Sequence, residues 1–242
     1  MFDQIEPKGA LVLGGSGIIG EAICRQFGKE QWHVGIHYYH NRTKAQQTAR
    51  LLQQQGGHST IYAADVTNFQ EVVQVVDTFT NTHTRLDALV YAVGVTLNRL
   101  LIRTRADDWD QVIGTNLTGA FHALKAAAPI FVKQQQGCAI LLGSLSSHLG
   151  QPGQCAYAAA KTGLLGLLKS VAREWGPSNI RVNAVFPGWH ASPLSGASFP
   201  TVASDHVIGQ TPNLQEVSQA VYQLVHMKEV SGQIWNLDSR IW

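Results

Sequence analysis

The chain is predicted to fold as one α/β domain, residues 1–242, built on a doubly wound parallel sheet of about seven strands with helices on both faces. Three observations carry this. Short apolar runs alternate along the chain with longer segments of helical period, the pattern of strands joined by crossover helices. The apolar runs are continuous rather than alternating, as suits a sheet covered on both sides. The first run passes through a glycine-rich turn straight into a helical segment, as in a Rossmann-like fold.

In chain order, strands are expected at 10–13, 33–36, 60–62, 88–91, 139–142, 182–185 and 233–237. Helices are expected near 18–28, 42–55, 68–82, 107–134, 153–175 and 214–226. In the 153–175 helix, Leu164, Leu165, Leu167, Leu168, Val171 and Trp175 form a core stripe. One long irregular stretch remains, at 187–212, rich in Ser, Gly, Pro and Ala. A loop of that length in a compact domain is usually functional. It leaves the carboxyl end of a strand, where open parallel sheets bind ligands, and is read as the substrate loop. No internal repeat or low-complexity segment is present.

The totals narrow the function class. The chain has 242 residues, 45% hydrophobic and 14% charged, with a net charge of +2. Such low charge argues against disorder and suggests that some surface is covered in an oligomer. The balance points to neither nucleic acid nor a membrane surface. Cys24, Cys138 and Cys155 suit no zinc site or disulfide framework, so reduced thiols in a cytoplasm are expected. The first eight residues lack the pattern of a signal peptide, and no apolar run approaches the roughly 20 residues of a membrane span. The ten histidines have no metal-ligand spacing, and no metal is expected.

The turn reads Gly14-Gly15-Ser16-Gly17-Ile18-Ile19-Gly20. Gly14 and Gly15 permit a tight turn, Gly17 a close approach of backbone to a pyrophosphate, and Gly20 the packing of helix on strand. The helix N-terminus then offers free N–H groups and a positive dipole end to phosphates. Gly15, Gly17 and Gly20 satisfy G-x-G-x-x-G, a pattern made specific by its strand–turn–helix setting. A dinucleotide fold that prefers NAD places an acidic residue after the second strand. Residues 31–64 contain no Asp or Glu, and the second strand leads into His37-Tyr38-Tyr39-His40-Asn41-Arg42-Thr43-Lys44. A guanidinium suits a phosphate. NADP(H) is therefore inferred, with Arg42 near the 2′-phosphate and His40 and Asn41 as further candidates. The competing reading makes Arg42 and Lys44 ordinary solvated residues at a helix start.

Tyr157 and Lys161 stand at i and i+4, on one face of a helix. A free tyrosine, with a pKa of about 10, exchanges its proton poorly at neutral pH. A nearby ammonium lowers that value, which makes the pair a sensible proton donor to a carbonyl. Ser144 follows the 139–142 strand at the carboxyl edge of the sheet. Its hydroxyl can hydrogen-bond the same substrate oxygen, so that several donors meet one developing alkoxide.

These motifs give the chain a resemblance, over nearly its full length, to the short-chain dehydrogenase/reductase family. It rests on residues 14–20, Asp65-Val66, Asn116-Leu117-Thr118-Gly119, Ser144, Tyr157-Ala158-Ala159-Ala160-Lys161, Asn183-Ala184-Val185-Phe186-Pro187-Gly188 and Ser231-Gly232-Gln233. Within the family the chain looks most like 3-oxoacyl-(acyl-carrier-protein) reductases, on residues 97–103, Asp108-Trp109 and Gly153-Gln154. The resemblance implies Tyr157 as general acid/base, and Lys161 as holder of the nicotinamide ribose and tuner of Tyr157. It implies Ser144 as the group orienting the carbonyl and Asn116 as anchor of a relay water. Around the cofactor it implies Ser16, Ile18 and Ile19 in the glycine turn, Asp65 at the adenine and Val66 beside it. Ala92 is a further cofactor-binding position, Gly94 falls at the adenosine ribose, Pro187 and Gly188 at the nicotinamide pocket, and Ser192 where the family has a threonine near the carboxamide. Ser146, His148, Gln154 and Trp189 fall near the substrate; His148 and Trp189 either contact it or line the wall.

The sequence also departs from the family pattern. Leu13 stands for a usual threonine, Ile18 for a glycine, Tyr91-Ala92-Val93-Gly94 for Asn-Asn-Ala-Gly, and Ser239-Arg240 for a closing glycine pair. None removes a catalytic group. A carrier protein, being acidic, should meet basic residues beside the entrance. Of residues 133–138 and 176–179 only Lys133 is basic; Arg99, Arg103 and Arg105 offer another patch, or are simply solvated. The leading expectation is NADPH-dependent reduction of a β-keto group on a small-molecule or acyl-thioester substrate, with acyl carrier protein as a candidate partner that would present it. The alternatives are a reductase of a free ketone, quinone or steroid-like carbonyl, and a catalytically silent NADP(H)-binding sensor or subunit. The resemblance further implies a homotetramer, or a dimer, through the 107–134 and 153–175 helices.

Overall fold

A computed structural model describes residues 7–191 and 206–240. Seven parallel strands form one sheet in the order β3-β2-β1-β4-β5-β6-β7. They are β1 (Gly9–Leu13), β2 (His33–Tyr38), β3 (His58–Ala63), β4 (Ala88–Tyr91), β5 (Gly137–Leu142), β6 (Ile180–Phe186) and β7 (Ile234–Asn236). The helices are α1 (Ile18–Lys29), α2 (Arg42–Gln54), α3 (Phe69–His83), α4 (Ala106–Ile113), α5 (Gly119–Gln134), α6 (Ser146–Leu149), α7 (Cys155–Trp175) and α8 (Leu214–His226).

The strand side chains explain the two layers. Successive residues of a strand point to opposite faces. Leu11, Leu13, Leu89, Tyr91, Ala139, Leu141, Val182 and Ala184 pack with residues of α3, α5 and α7 on one face. Ala10, Val12, Ala88, Val90, Ile140, Leu142 and Val185 pack with α1, α2 and α8 on the other. Both faces are buried, so the strands read as unbroken apolar runs. Cys24 and Cys138 lie in the second of these cores, whereas Cys155, at the start of α7, is half-buried.

The helix expected over 107–134 is two helices. Between α4 and α5 the residues Gly114–Thr118 form a π-helical turn. A π turn inserts an extra residue into the helical repeat. Here it turns Asn116 inward, where the side chain is fully buried. Apolar periodicity on either side does not reveal one inserted residue, and this is why the sequence reads as continuous helix.

The amino edge of the sheet is tied down by polar side chains. Asp87 accepts from the Gly9 N–H at 2.8 Å and from Arg85 Nε at 2.8 Å. The Gln134 amide closes on both the N–H and the carbonyl of Leu86, at 3.0 and 2.7 Å. His33 at the start of β2 lies between His58 and His83, with ring centroids 5.7 and 3.5 Å away.

Candidate active site

At the carboxyl edge the strands open onto a cleft of about 560 Å³. One wall is the glycine turn. Gly14 leaves β1 with φ +86°, a conformation that favours glycine. A Cβ on Gly20 would stand 2.1 Å from the Gly14 carbonyl oxygen, so α1 packs against the turn only because Gly20 has none. The N-terminus of α1 carries no side-chain cap, and Gly17, Ile18, Ile19 and Gly20 line the cleft. Uncapped N–H groups beside a cavity suit a phosphate.

The opposite wall holds the chemistry. Ser144 follows β5, and its Oγ accepts from the Ser146 N–H at 3.1 Å. Tyr157 and Lys161 project from α7 into the cleft, on the one face that i, i+4 spacing gives them. Lys161 is 3% exposed; its Nζ donates to the Leu142 carbonyl at 2.7 Å and lies 5.7 Å from the Tyr157 ring centroid. Burial pulls the Lys161 pKa down to about 8. Burial also pushes the Tyr157 phenol above its ordinary value, while a hydrogen bond from Ser144 draws it the other way. The expected lowering of the phenol by Lys161 is therefore not what this arrangement gives. Loss of hydration is the larger influence, ahead of the Ser144 hydrogen bond, and it favours the protonated phenol.

Asn116 reaches the same place from below. Its Nδ2 donates to the carbonyls of Val95 and Val112, at 2.8 and 2.9 Å. Its Oδ1 is buried without a hydrogen-bond partner. A Cβ on Gly94 would lie 2.9 Å from that oxygen and 3.8 Å from Lys161 Nζ. Orphaned buried acceptors are rare and ask for a donor. A ribose hydroxyl or a water meets that need, and the gap at Gly94 leaves room for it. The uncapped helix and this acceptor make the residues fit a nicotinamide dinucleotide.

The structure brings most of the sequence-derived candidates together. Ala92, Gly94, Ser144, Ser146, Gln154, Tyr157, Lys161, Pro187, Gly188 and Trp189 all line the cleft. Gly14 and Ser16 belong to the turn between β1 and α1 and are not among the lining residues. Asp65 and Val66 lie beyond β3: Asp65 Oδ1 accepts from the Thr67 N–H and hydroxyl at 2.9 and 2.7 Å, and Val66 is buried. His40, Asn41 and Arg42 are exposed between β2 and α2, outside the cleft lining. Asn41 Oδ1 is spent on capping α2, accepting from the Lys44 N–H at 2.9 Å. Lys44 pairs with Glu21 of α1 at 2.7 Å. His148 does not line the cleft; it is exposed at the end of α6 and rests on Phe186, ring centroids 5.5 Å apart. Ser192 and positions 193–205 of the expected substrate loop fall outside the described residues.

Thr96, Asn98, His190 and Arg240 line the cleft without having been singled out as site residues, and the contact between the expected Ser146 and Gln154 was not foreseen either. A polar chain crosses the cleft: Ser146 Oγ donates to Gln154 Oε1 at 3.1 Å, Gln154 Nε2 to Asn98 Oδ1 at 3.4 Å, and Thr96 Oγ1 to the same oxygen at 3.1 Å. Arg240, paired with Asp238, lines the far end together with His190. The sequence separations of these groups hide them. Among the described residues no helix is long and apolar enough to cross a membrane, and no group of three or more His, Cys, Asp or Glu can hold a metal ion.

Comparison with known proteins agrees with this geometry. A family model described as short chain dehydrogenase matches residues 8–203. The chain is 37% identical over 190 residues to a 3-oxoacyl-(acyl-carrier-protein) reductase of Staphylococcus aureus, covering 78% of this chain and 77% of that one. It is 36% identical over 186 residues to the reductase of the same name from Synechocystis, covering 77% and 75%. The crystal structure of a dehydrogenase/reductase from Sinorhizobium meliloti superposes with a TM-score of 0.90 at 28% identity, over 96% of this chain and 94% of that one.

Proposed function

The chain belongs to the short-chain dehydrogenase family, and from that premise we propose that it reduces a β-keto group with NADP(H), the substrate being a 3-oxoacyl thioester on acyl carrier protein. The observation that carries this is the convergence of Ser144, Tyr157 and Lys161 on one cleft that also reaches the glycine turn, with the unpartnered Asn116 oxygen buried behind Gly94 of its wall. A bound nicotinamide dinucleotide would supply the hydride. The chain's own groups do the rest. Ser144 and Tyr157 hydroxyls donate to the carbonyl oxygen and hold it in place. Tyr157, kept protonated by burial, gives its proton to that oxygen as negative charge develops there. Lys161, charged below a pH of about 8, stands beneath the ring and compensates the phenolate left behind. The buried Asn116 oxygen accepts from a water that returns a proton.

Preference for NADP(H) rests on the β2–α2 link. It holds no carboxylate, and it offers the exposed Arg42 at the first position of α2. The carrier-protein reading draws on the names of the relatives. Their share of the chain includes the entrance segment with Arg99, Arg103 and Arg105. Arg99 and Arg105 both contact Asp108, at 2.8 and 3.0 Å. That pairing dilutes the basic patch and favours a second reading, a free small β-keto compound.

An oligomer is also proposed. Trp109 of α4 and Phe121 and Val132 of α5 are 40–45% exposed, and the spacing of Phe121 and Val132 puts them on one face of α5. Light scattering at micromolar concentration should give a tetramer or dimer; a monomer overturns this. The decisive assay follows the loss of NADPH absorbance with an acetoacetyl group on carrier protein and on a small thiol. Faster turnover of the carrier form supports the thioester reading, and equal rates support the free substrate. Tight NADPH binding without turnover of either overturns both.

A further inference from the structure

We propose that His37 is a positioning residue for the dinucleotide: a buried imidazole that ties the glycine turn after β1 to the segment after β3 and so fixes the phosphate loop. The inference rests on the reading that residues 14–20 hold a dinucleotide.

β2 lies between β1 and β3. Its register pairs Ile36 with Val12 on one side and His37 with Tyr62 on the other. Just past Val12 the chain of β1 bends away at Gly14, and the main-chain ladder to β2 ends. The His37 side chain takes over from the ladder. It is 1% exposed. Its Nδ1 accepts from the Gly14 N–H at 3.0 Å, and its Nε2 donates to the Ala64 carbonyl at 3.0 Å. A backbone N–H only donates and a carbonyl only accepts. The partners therefore fix the tautomer, with the proton on Nε2. Burial keeps the ring neutral, pulling its pKa down to about 4, so both bonds persist at neutral pH.

Gly14 is a node. Its N–H is held by His37, its carbonyl accepts from the Gly17 N–H at 2.9 Å, and Gly20 of α1 packs against that same carbonyl. Where Gly14 sits, the uncapped start of α1 must follow. On the other side Ala64 immediately precedes Asp65, whose turn borders the expected adenine end. One imidazole thus sets the spacing between the phosphate end and the adenine end of the site. An aliphatic residue in its place leaves a buried N–H and a buried carbonyl unpaired, and the turn must move to hydrate them. Asparagine keeps an acceptor within reach of Gly14 and falls short of Ala64.

The test measures NADPH affinity by fluorescence for wild type, His37→Leu and His37→Asn, with thermal unfolding alongside. The leucine variant should bind NADPH at least about tenfold more weakly, and the asparagine variant, which keeps only the Gly14 bond, should fall between it and wild type. A folded leucine variant with unchanged affinity overturns the proposal and leaves His37 a packing residue. Where the leucine variant fails to fold, the asparagine variant decides: a several-fold loss of affinity at an unchanged melting temperature supports the latch, and wild-type affinity overturns it. Imidazole nitrogen shifts of wild type placing the His37 proton on Nδ1 also overturn it. A wild type that binds neither NADPH nor NADH removes the dinucleotide reading itself, and this proposal with it.

Discussion

Strand β2 carries a histidine at each end, and the two do different work. At the carboxyl end His37 has both ring nitrogens bonded to backbone. At the amino end His33 stacks on His83 and His58. Both are pulled down to a pKa of about 4, His37 by burial, His33 by burial and then by the two neighbouring imidazoles. The difference extends to the whole sheet. Several polar groups at the amino edge satisfy one another: Arg85 with Asp87, Asp87 with Gly9, Gln134 with Leu86, although Ser59 Oγ and His83 Nε2 are buried without a partner. Polar groups at the carboxyl edge include one left without a partner, the Asn116 oxygen buried behind Gly94 of the cleft wall. One edge holds the sheet together, and the other is free to meet a ligand.

The sharpest separation is expected at Tyr157. Tyr157→Phe should lower kcat by roughly a thousandfold, the scale of general acid catalysis, with NADPH affinity and melting temperature unchanged. Retained turnover would break the assignment of chemistry to this edge.

Next comes acid. An unfolded histidine takes its proton near pH 6.5, whereas His33 and His37 take theirs in the folded chain only near 4. Between those values the unfolded chain binds more protons, so stability is lost as pH falls from 6.5 toward 4. His37 alone contributes roughly 3 kcal/mol to that loss. His33, more open to solvent, contributes less. Urea midpoints that agree at pH 7 and pH 5 would contradict this. A smaller effect, about 2 kcal/mol, is expected from Asp87→Ala, which strands the buried Gly9 N–H. Chemical denaturation should show it with the NADPH Kd untouched; a large change in Kd would blur the two edges. The smallest effect is Arg42→Ala, about tenfold weaker NADPH binding with NADH unaffected, read by paired titrations. Equal losses for both cofactors would remove Arg42 from the 2′-phosphate.

Much of this was legible in the sequence. Seven strands follow from seven apolar runs, because a sheet buried on both faces demands them. Tyr157, Lys161 and the glycine turn are local patterns, readable within a single helix or turn. What stayed hidden depends on distant pairs. The π turn that buries Asn116 leaves no mark in apolar spacing. Asn98, Gln154 and Ser146 meet only because three carboxyl-edge loops converge. His148 shares a segment with Ser144 and Ser146, yet α6 carries it out of the cleft, since a short helix turns its residues through a full circle. His37 gave one clue only, a polar residue among the apolar neighbours of a strand. The push of burial on the Tyr157 phenol was not legible either, because spacing shows who is near and not how much water is lost.

The strand order also bears on how the chain assembles. β1 pairs with β2 on one side and with β4 on the other, yet β4 is made only after β2 and β3. A nascent chain that has completed its first three strands therefore presents β1 as a bare edge, with unpaired donors and acceptors of the kind that recruit other chains. Each later parallel pairing must likewise wait for a crossover helix, and such non-local closure is slow. The first third of the molecule emerges from synthesis with its nucleotide loop already drawn in sequence but its central strand half covered. During that interval an exposed β1 edge is the feature open to pairing with another chain.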